Sequence, residues 1–196
     1  MMFHFPFEAG PGCYKTDAER AEKGLPPCTF TEEWDTVGVY GEKRGAGTHG
    51  GIDIGAIPGT PVLAIAKGEV TRLVFDHPSA GTYLEVAHPG GHWARYLHLR
   101  EVLVGKGDKV KAKQRIALSG GVRGEYGAGN TYSPHLHLEL WTADPTLRWG
   151  QWEYRVDPAA YLKKPSGGGG GQAKWVAISL GLAASIIALG WWMRRG

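Results

Sequence analysis

Cysteine is almost missing from this 196-residue chain: there are two, Cys13 and Cys28, and no Cys-x-x-Cys pair. That spacing argues against a structural zinc knuckle. The two either close one disulfide around a loop of about 15 residues, worth about 3 kcal/mol in an oxidising compartment, or remain separate thiols. A large excess of charge of one sign is missing too. Lys and Arg number 22 against 19 Asp and Glu, a formal net charge of +3. No basic block is long enough to argue for nucleic acid, which is not an expected partner. There is no internal repeat, and no long amphipathic helix interrupts the middle of the chain. The first ten residues lack a basic region followed by an apolar core, so no cleaved secretory signal is expected.

What is abundant is glycine, at 31, with 12 prolines and 42% apolar residues. That apolar content builds a core and separates the chain from disordered compositions. Short segments rich in Val, Ile, Thr and aromatics alternate with Gly and Pro turns. Strands are expected at residues 61–66, 69–75, 83–87, 93–99, 109–118 and 135–141. The expected fold is all-β, a mainly antiparallel sheet. Four parts follow: an irregular N-terminal segment (1–44), the β-domain (45–162), a Gly-rich linker (163–173) and a helix (174–195). Phe3, Phe5 and Phe7 suggest a short extended segment, residues 17–23 one or two helical turns, and residues 157–162 a closing turn.

The tail has a different composition. Five glycines, Gly167 to Gly171, form a flexible linker. An uncharged run, 175–193, follows; at about 1.5 Å per residue it spans roughly 28 Å, close to the hydrocarbon core of a bilayer. Trp175 stands at one end and Trp191 and Trp192 at the other, where interfacial aromatics belong. A single C-terminal transmembrane helix is expected, with the lipid bilayer as partner through residues 175–193. Gly181 and Ser185, with Ala177 and Ala184 nearby, permit close helix–helix association. Lysines before the run and Arg194 and Arg195 after it leave its orientation open.

Two strings carry the chemistry. His49 and Asp53 flank Gly50-Gly51, a pair expected to let the backbone turn so that both side chains reach one ion. In His135-Leu136-His137, alternation along a strand points both imidazoles to one face and Leu136 and Leu138 to the other. Nitrogen and oxygen donors converging in this way suit zinc. In Tyr96-Leu97-His98-Leu99 the same alternation turns Leu97 and Leu99 inward, and Tyr96 and His98 toward a cleft. A catalytic zinc site needs three protein ligands. Four histidines and one aspartate exceed that number and leave one or two imidazoles for acid–base work. Glu139 shares the face of the His-x-His pair, either orienting a ligand from behind or standing exposed. His88 is expected to be structural, and His4, His77 and His92 incidental. The Gly-rich loop 121–130 is expected to be either a mobile wall of a peptide groove or a plain surface loop.

Five strings stand in a telling order: Thr48-His49-Gly50-Gly51-Ile52-Asp53-Ile54-Gly55, Gly59-Thr60-Pro61-Val62-Leu63-Ala64, Tyr96-Leu97-His98-Leu99, Gly105-Lys106-Gly107-Asp108-Lys109-Val110 and Ser133-Pro134-His135-Leu136-His137-Leu138-Glu139. In order and spacing, residues 46–162 resemble the lysostaphin-type (LytM) zinc endopeptidases. The resemblance implies Zn2+ held by His49, Asp53 and His137, with catalytic roles for His98 and His135. It implies cleavage of peptide bonds in bacterial peptidoglycan, in the stem peptide or the cross-bridge. Leu138 stands where an aromatic is often found and Ala94 where Thr is frequent; neither change removes a ligand or a proton carrier. With the tail, the expectation is a membrane-anchored enzyme of the bacterial cell envelope, or a lysin in the membrane of a bacterial virus particle. The competing expectation is a non-catalytic envelope or virion protein that uses the same domain to bind wall peptides or a partner.

Overall fold

The computed structural model describes residues 2–7, 36–45, 47–148 and 151–163. Cys13, Cys28, the expected turns at 17–23, the Gly167 to Gly171 linker and the apolar run 175–193 lie outside them. Among the described residues, no helix is long and apolar enough to cross a membrane.

The described chain is built from antiparallel strands. In order they are β1 (Thr36–Gly38), β2 (Lys43–Arg44), β3 (Gly47–Thr48), β4 (Ile52–Gly55), β5 (Pro61–Leu63), β6 (Gly68–His77), β7 (Gly81–His88), β8 (His92–Leu97), β9 (Leu99–Val102), β10 (Lys109–Val110), β11 (Arg115–Ser119), β12 (His135–Trp141) and β13 (Arg155–Val156). The main sheet is eight-stranded, ordered β1-β4-β12-β8-β7-β6-β10, with β13 paired to β12. A second, three-stranded sheet runs β5-β11-β9, and β2 and β3 form a separate hairpin. The sheet therefore begins before residue 45, with β1 at its edge.

Alternation decides the packing. Ile52 and Ile54 on β4, Leu84 and Val86 on β7, Ala94 and Tyr96 on β8, and Leu136, Leu138 and Leu140 on β12 are buried. They form one apolar cluster with Val62, Leu99, Ile116 and Ala117 of the smaller sheet. The core thus lies between the two sheets, and the opposite face of the larger sheet is left for the polar residues. Phe3 and Phe7 close one side of this cluster. The Phe3 amide donates to Tyr161 and the Phe3 carbonyl accepts from Lys163, beside a short 3-10 turn, Pro158–Ala160, that the Asp157 carboxylate caps.

Two expected strands are each divided. Residues 109–118 split into β10 and β11, which belong to different sheets. Residues 93–99 split at His98, whose φ of +61° breaks the alternation. The chain leaves the main sheet there, passing from β8 to β9. Tyr96 consequently faces the core, not the cleft, and its hydroxyl accepts from the Ile65 amide at 2.9 Å. Leu97 takes the cleft side instead.

Candidate metal centre and active site

Register brings the first three polar residues together. Across the sheet, Gly38 pairs with Asp53 and Asp53 with His137. Directly opposed residues share a face, so Asp53 and His137 meet without help from any loop. His49 enters from the turn between β3 and β4. Its Nε2 lies 3.0 Å from Asp53 Oδ1 and 2.9 Å from His137 Nδ1. His137 Nδ1 is 2.6 Å from Asp53 Oδ1.

The glycines at 50 and 51 serve a purpose other than the expected one. Neither has a left-handed φ; Gly51 is needed because the β12 backbone passes too close for a side chain, and Gly50 lies under the ends of two side chains. A Cβ on Gly51 would run into the Leu138 carbonyl, and one on Gly50 into Arg155 and, at 3.1 Å, Glu139. Gly51→Ala should therefore cost about 1–3 kcal/mol of stability, seen as a fall in the urea midpoint. An unchanged midpoint would reject the close approach.

Three of the four imidazoles are locked by the second nitrogen. His49 Nδ1–H donates to the Val39 carbonyl at 2.8 Å. His98 Nδ1–H donates to Ala128 O at 2.8 Å, and His135 Nδ1–H to Ser133 O at 2.7 Å. A carbonyl only accepts, so the proton sits on Nδ1 and the lone pair on Nε2 in all three. His137 is the reverse: Nδ1 faces the cluster, and Nε2 lies 3.6 Å from Glu139 Oε1. The His98 and His135 rings stand edge to face, 4.9 Å between centroids. His135 Nε2 is 3.5 Å from Asp53 Oδ1.

Among the side chains alone, burial opposes ionisation of Asp53. Its bonds to His137 and His49 outweigh that and hold it well below the usual carboxylate range. Burial likewise acts to lower His137, but Asp53 and Glu139 outweigh it and raise it to about 9. His98 has no carboxylate bond to offset burial and the neighbouring His137 and His135, and it is pushed down to about 3. It is a neutral base at pH 7.

The donor set fits zinc. Tetrahedral ligands at 2.0–2.1 Å from zinc stand about 3.3 Å from one another, and these three atoms, at 3.0, 2.9 and 2.6 Å, are already closer than that. One carboxylate oxygen and two imidazole nitrogens converge, all from buried residues, and each imidazole has its other nitrogen beside a carbonyl or carboxylate.

Two arginines escaped the sequence reading. Arg44 Nη2 donates to Asp53 Oδ2 at 2.7 Å, which leaves Oδ1 for the cluster. Gly38 makes room for this pair: a Cβ there would strike the guanidinium. Arg95 lies beneath the site. Glu85, Arg95 and Glu139 are directly opposed on β7, β8 and β12, and they form a buried row of alternating charge. Arg95 Nη2 is 2.6 Å from Glu85 Oε1, and Arg95 Nη1 is 3.2 Å from Glu139 Oε2. Trp141 Nε1 donates to the same Glu139 oxygen at 2.9 Å.

A cleft of about 310 Å³ runs from His49 and His137 past His98 to the tip of the β6–β7 hairpin. His77, expected to be incidental, lines it along with Ser79 and Asn130. The Gly-rich loop does form part of this wall, but it is pinned to the hairpin: Thr82 N donates to Gly127 O at 2.8 Å and Asn130 N to Ser79 O at 3.0 Å. His88 packs on Phe3, as does His92.

Comparison with known proteins agrees with this geometry. The chain is 42% identical over 92 residues to the peptidoglycan DD-endopeptidase ShyA of Vibrio cholerae, covering 47% of this chain and 20% of that protein. It is 32% identical over 127 residues to the glycyl-glycine endopeptidase ALE-1 of Staphylococcus capitis, covering 64% of this chain and 32% of that protein. The chain thus spans a third or less of the length of these curated relatives. The catalytic domain of lysostaphin from Staphylococcus simulans superimposes with a TM-score of 0.55 at 27% identity, over 65% of this chain and 91% of that one. The sequence profile of Peptidase family M23 matches residues 47–148, from the strand before His49 to beyond the strand of His135 and His137, and the chain belongs to that family.

Proposed function

We propose that the protein is a zinc-dependent endopeptidase that hydrolyses peptide bonds of bacterial peptidoglycan, in the stem peptide or the cross-bridge. The observation that carries this is the separation of roles within one cluster. Three donor atoms lie within 3.0 Å of one another, while His98 and His135 stand beside them with Nδ1 committed to carbonyls. His49, Asp53 and His137 would hold the metal. Zinc bound there supplies a Lewis acid for the scissile carbonyl and acidifies a water molecule. His98 lines the cleft and His135 packs edge to face against it, each with an Nε2 lone pair not taken by a carbonyl; they accept the proton of the attacking water and return it to the leaving amine. The substrate class rests on the names of the relatives, two of which are endopeptidases, one of them named for peptidoglycan.

The test is digestion of defined peptidoglycans by the purified protein, with mass spectrometry of the released fragments and metal analysis. We expect about one zinc per chain, new amine termini, loss of cleavage on chelation and its return with zinc. Absence of metal, or metal without hydrolysis, overturns the proposal and favours the non-catalytic wall-binding reading. The intact set of three donors and two further imidazoles supports hydrolysis over binding alone.

The uncharged run 175–193 behind its glycine linker supports a membrane-anchored form, sited in the bacterial envelope or in the membrane of a virus particle. Full-length protein would then float with liposomes, while a chain ending at residue 163 would not.

A further inference from the structure

His98 is held by a backbone carbonyl, and that carbonyl belongs to the Gly-rich loop, whose own turn includes a bond from the Ala128 amide to Glu125 O at 3.1 Å. The tip of the β6–β7 hairpin fixes the loop from outside. Asp76, the penultimate residue of β6, has a φ of +50°, a left-handed conformation that Asp tolerates better than most residues. Its amide donates to Thr82 Oγ1 at 3.2 Å across the hairpin. Its carboxylate is thereby turned out of the strand, and Oδ1 accepts from the Gly127 amide at 3.0 Å. The next residue along, Ala128, supplies the carbonyl that takes the His98 Nδ1 proton at 2.8 Å.

Loop and hairpin also interlock backbone to backbone. A Cβ on Gly81 would strike the Gly127 carbonyl. One on Gly127 would reach Thr82 Oγ1 at 2.9 Å, and one on Gly129 would meet Ser79 O at 2.6 Å. The His98 amide itself donates to Ala80 O at 3.3 Å. The imidazole is thus bound at both its backbone and its ring to the wall that lines the cleft.

We infer that Asp76 is a positioning residue for His98, acting through the two-residue segment Gly127–Ala128 to fix which ring nitrogen of His98 carries the proton. Asp76 touches neither the metal ligands nor the reacting atoms. Its carboxylate holds the Gly127 amide, two peptide groups before the Ala128 carbonyl that holds Nδ1–H, and by anchoring that short segment keeps the Nε2 lone pair on the cleft side. This inference rests on the proton-transfer role given to His98 above.

Two variants test it in the full chain loaded with zinc. With Asp76→Ala, kcat on purified peptidoglycan should fall about 10-fold, while KM stays within about twofold and zinc content is unchanged. Nitrogen-15 spectra of the imidazoles should show His98 losing its single Nδ1–H tautomer. Asp76→Asn keeps an oxygen that accepts from the Gly127 amide and should restore both kcat and the tautomer. The inference is overturned if Asp76→Ala leaves the His98 tautomer unchanged, or if Asp76→Asn is as impaired as Asp76→Ala. The tautomer spectrum needs no turnover. A wild type that fails to cleave therefore sinks the proposed function without deciding this coupling.

Discussion

Replacing His137 with Ala removes zinc and turnover together. The donor cluster loses the atom nearest to Asp53 Oδ1, at 2.6 Å, and three ligands become two. Zinc affinity should drop by more than about 100-fold, the upper end of what changes outside the ligand shell cost. The fold has reason to survive. The apolar partners of β12 face the other way, and Asp53 keeps His49 and Arg44 as neighbours. Competition with a chromogenic chelator measures the affinity, and far-ultraviolet circular dichroism reports the sheet. A variant that remains fully metallated would remove His137 from the ligand set.

His98→Ala separates the other role. Zinc content should match that of the wild type, because His98 contributes no donor atom to the cluster. Turnover should fall about 10²- to 10⁴-fold, the usual span for loss of a positioned proton carrier. Ala is strained at a φ of +61°, so His98→Asn is the better control. Asn adopts left-handed backbone with less strain but carries no titratable nitrogen. Both variants should be equally inactive and equally metallated in initial-rate and metal assays. Wild-type turnover in either would leave His98 a purely structural residue.

The His-x-His strand was legible because alternation is the simplest pattern a sequence offers, and β12 runs from His135 to Trp141 with Leu136 and Leu138 in the core as expected. The break at His98 was not. A non-glycine residue with positive φ leaves no mark in composition, so alternation alone puts Tyr96 on the wrong face. Arg44 was hidden because it lies in a segment read as irregular, on a two-residue strand. Arg95 was hidden for a different reason: a charged residue alternating within a strand reads as solvent-facing. The available signal was that Glu85, Arg95 and Glu139 are each the one charged residue of a mostly buried strand. Three charged residues buried on the same face are costly unless they meet.

That row also bears on how the protein would respond to selection. Burying Glu85 and Arg95, with 0% and 1% exposure, carries a desolvation cost that their attraction does not reliably repay, and burial holds Glu85 above its ordinary pKa despite Arg95. Well-packed apolar replacements of such groups are often neutral or stabilising. Laboratory evolution for heat resistance alone would therefore tend to erase the row and leave Glu139 unbraced behind His137. The survivors would be hardier sheets with a slack histidine. Any campaign to toughen this protein has to score metal retention alongside melting temperature, or it will enrich the wrong winners.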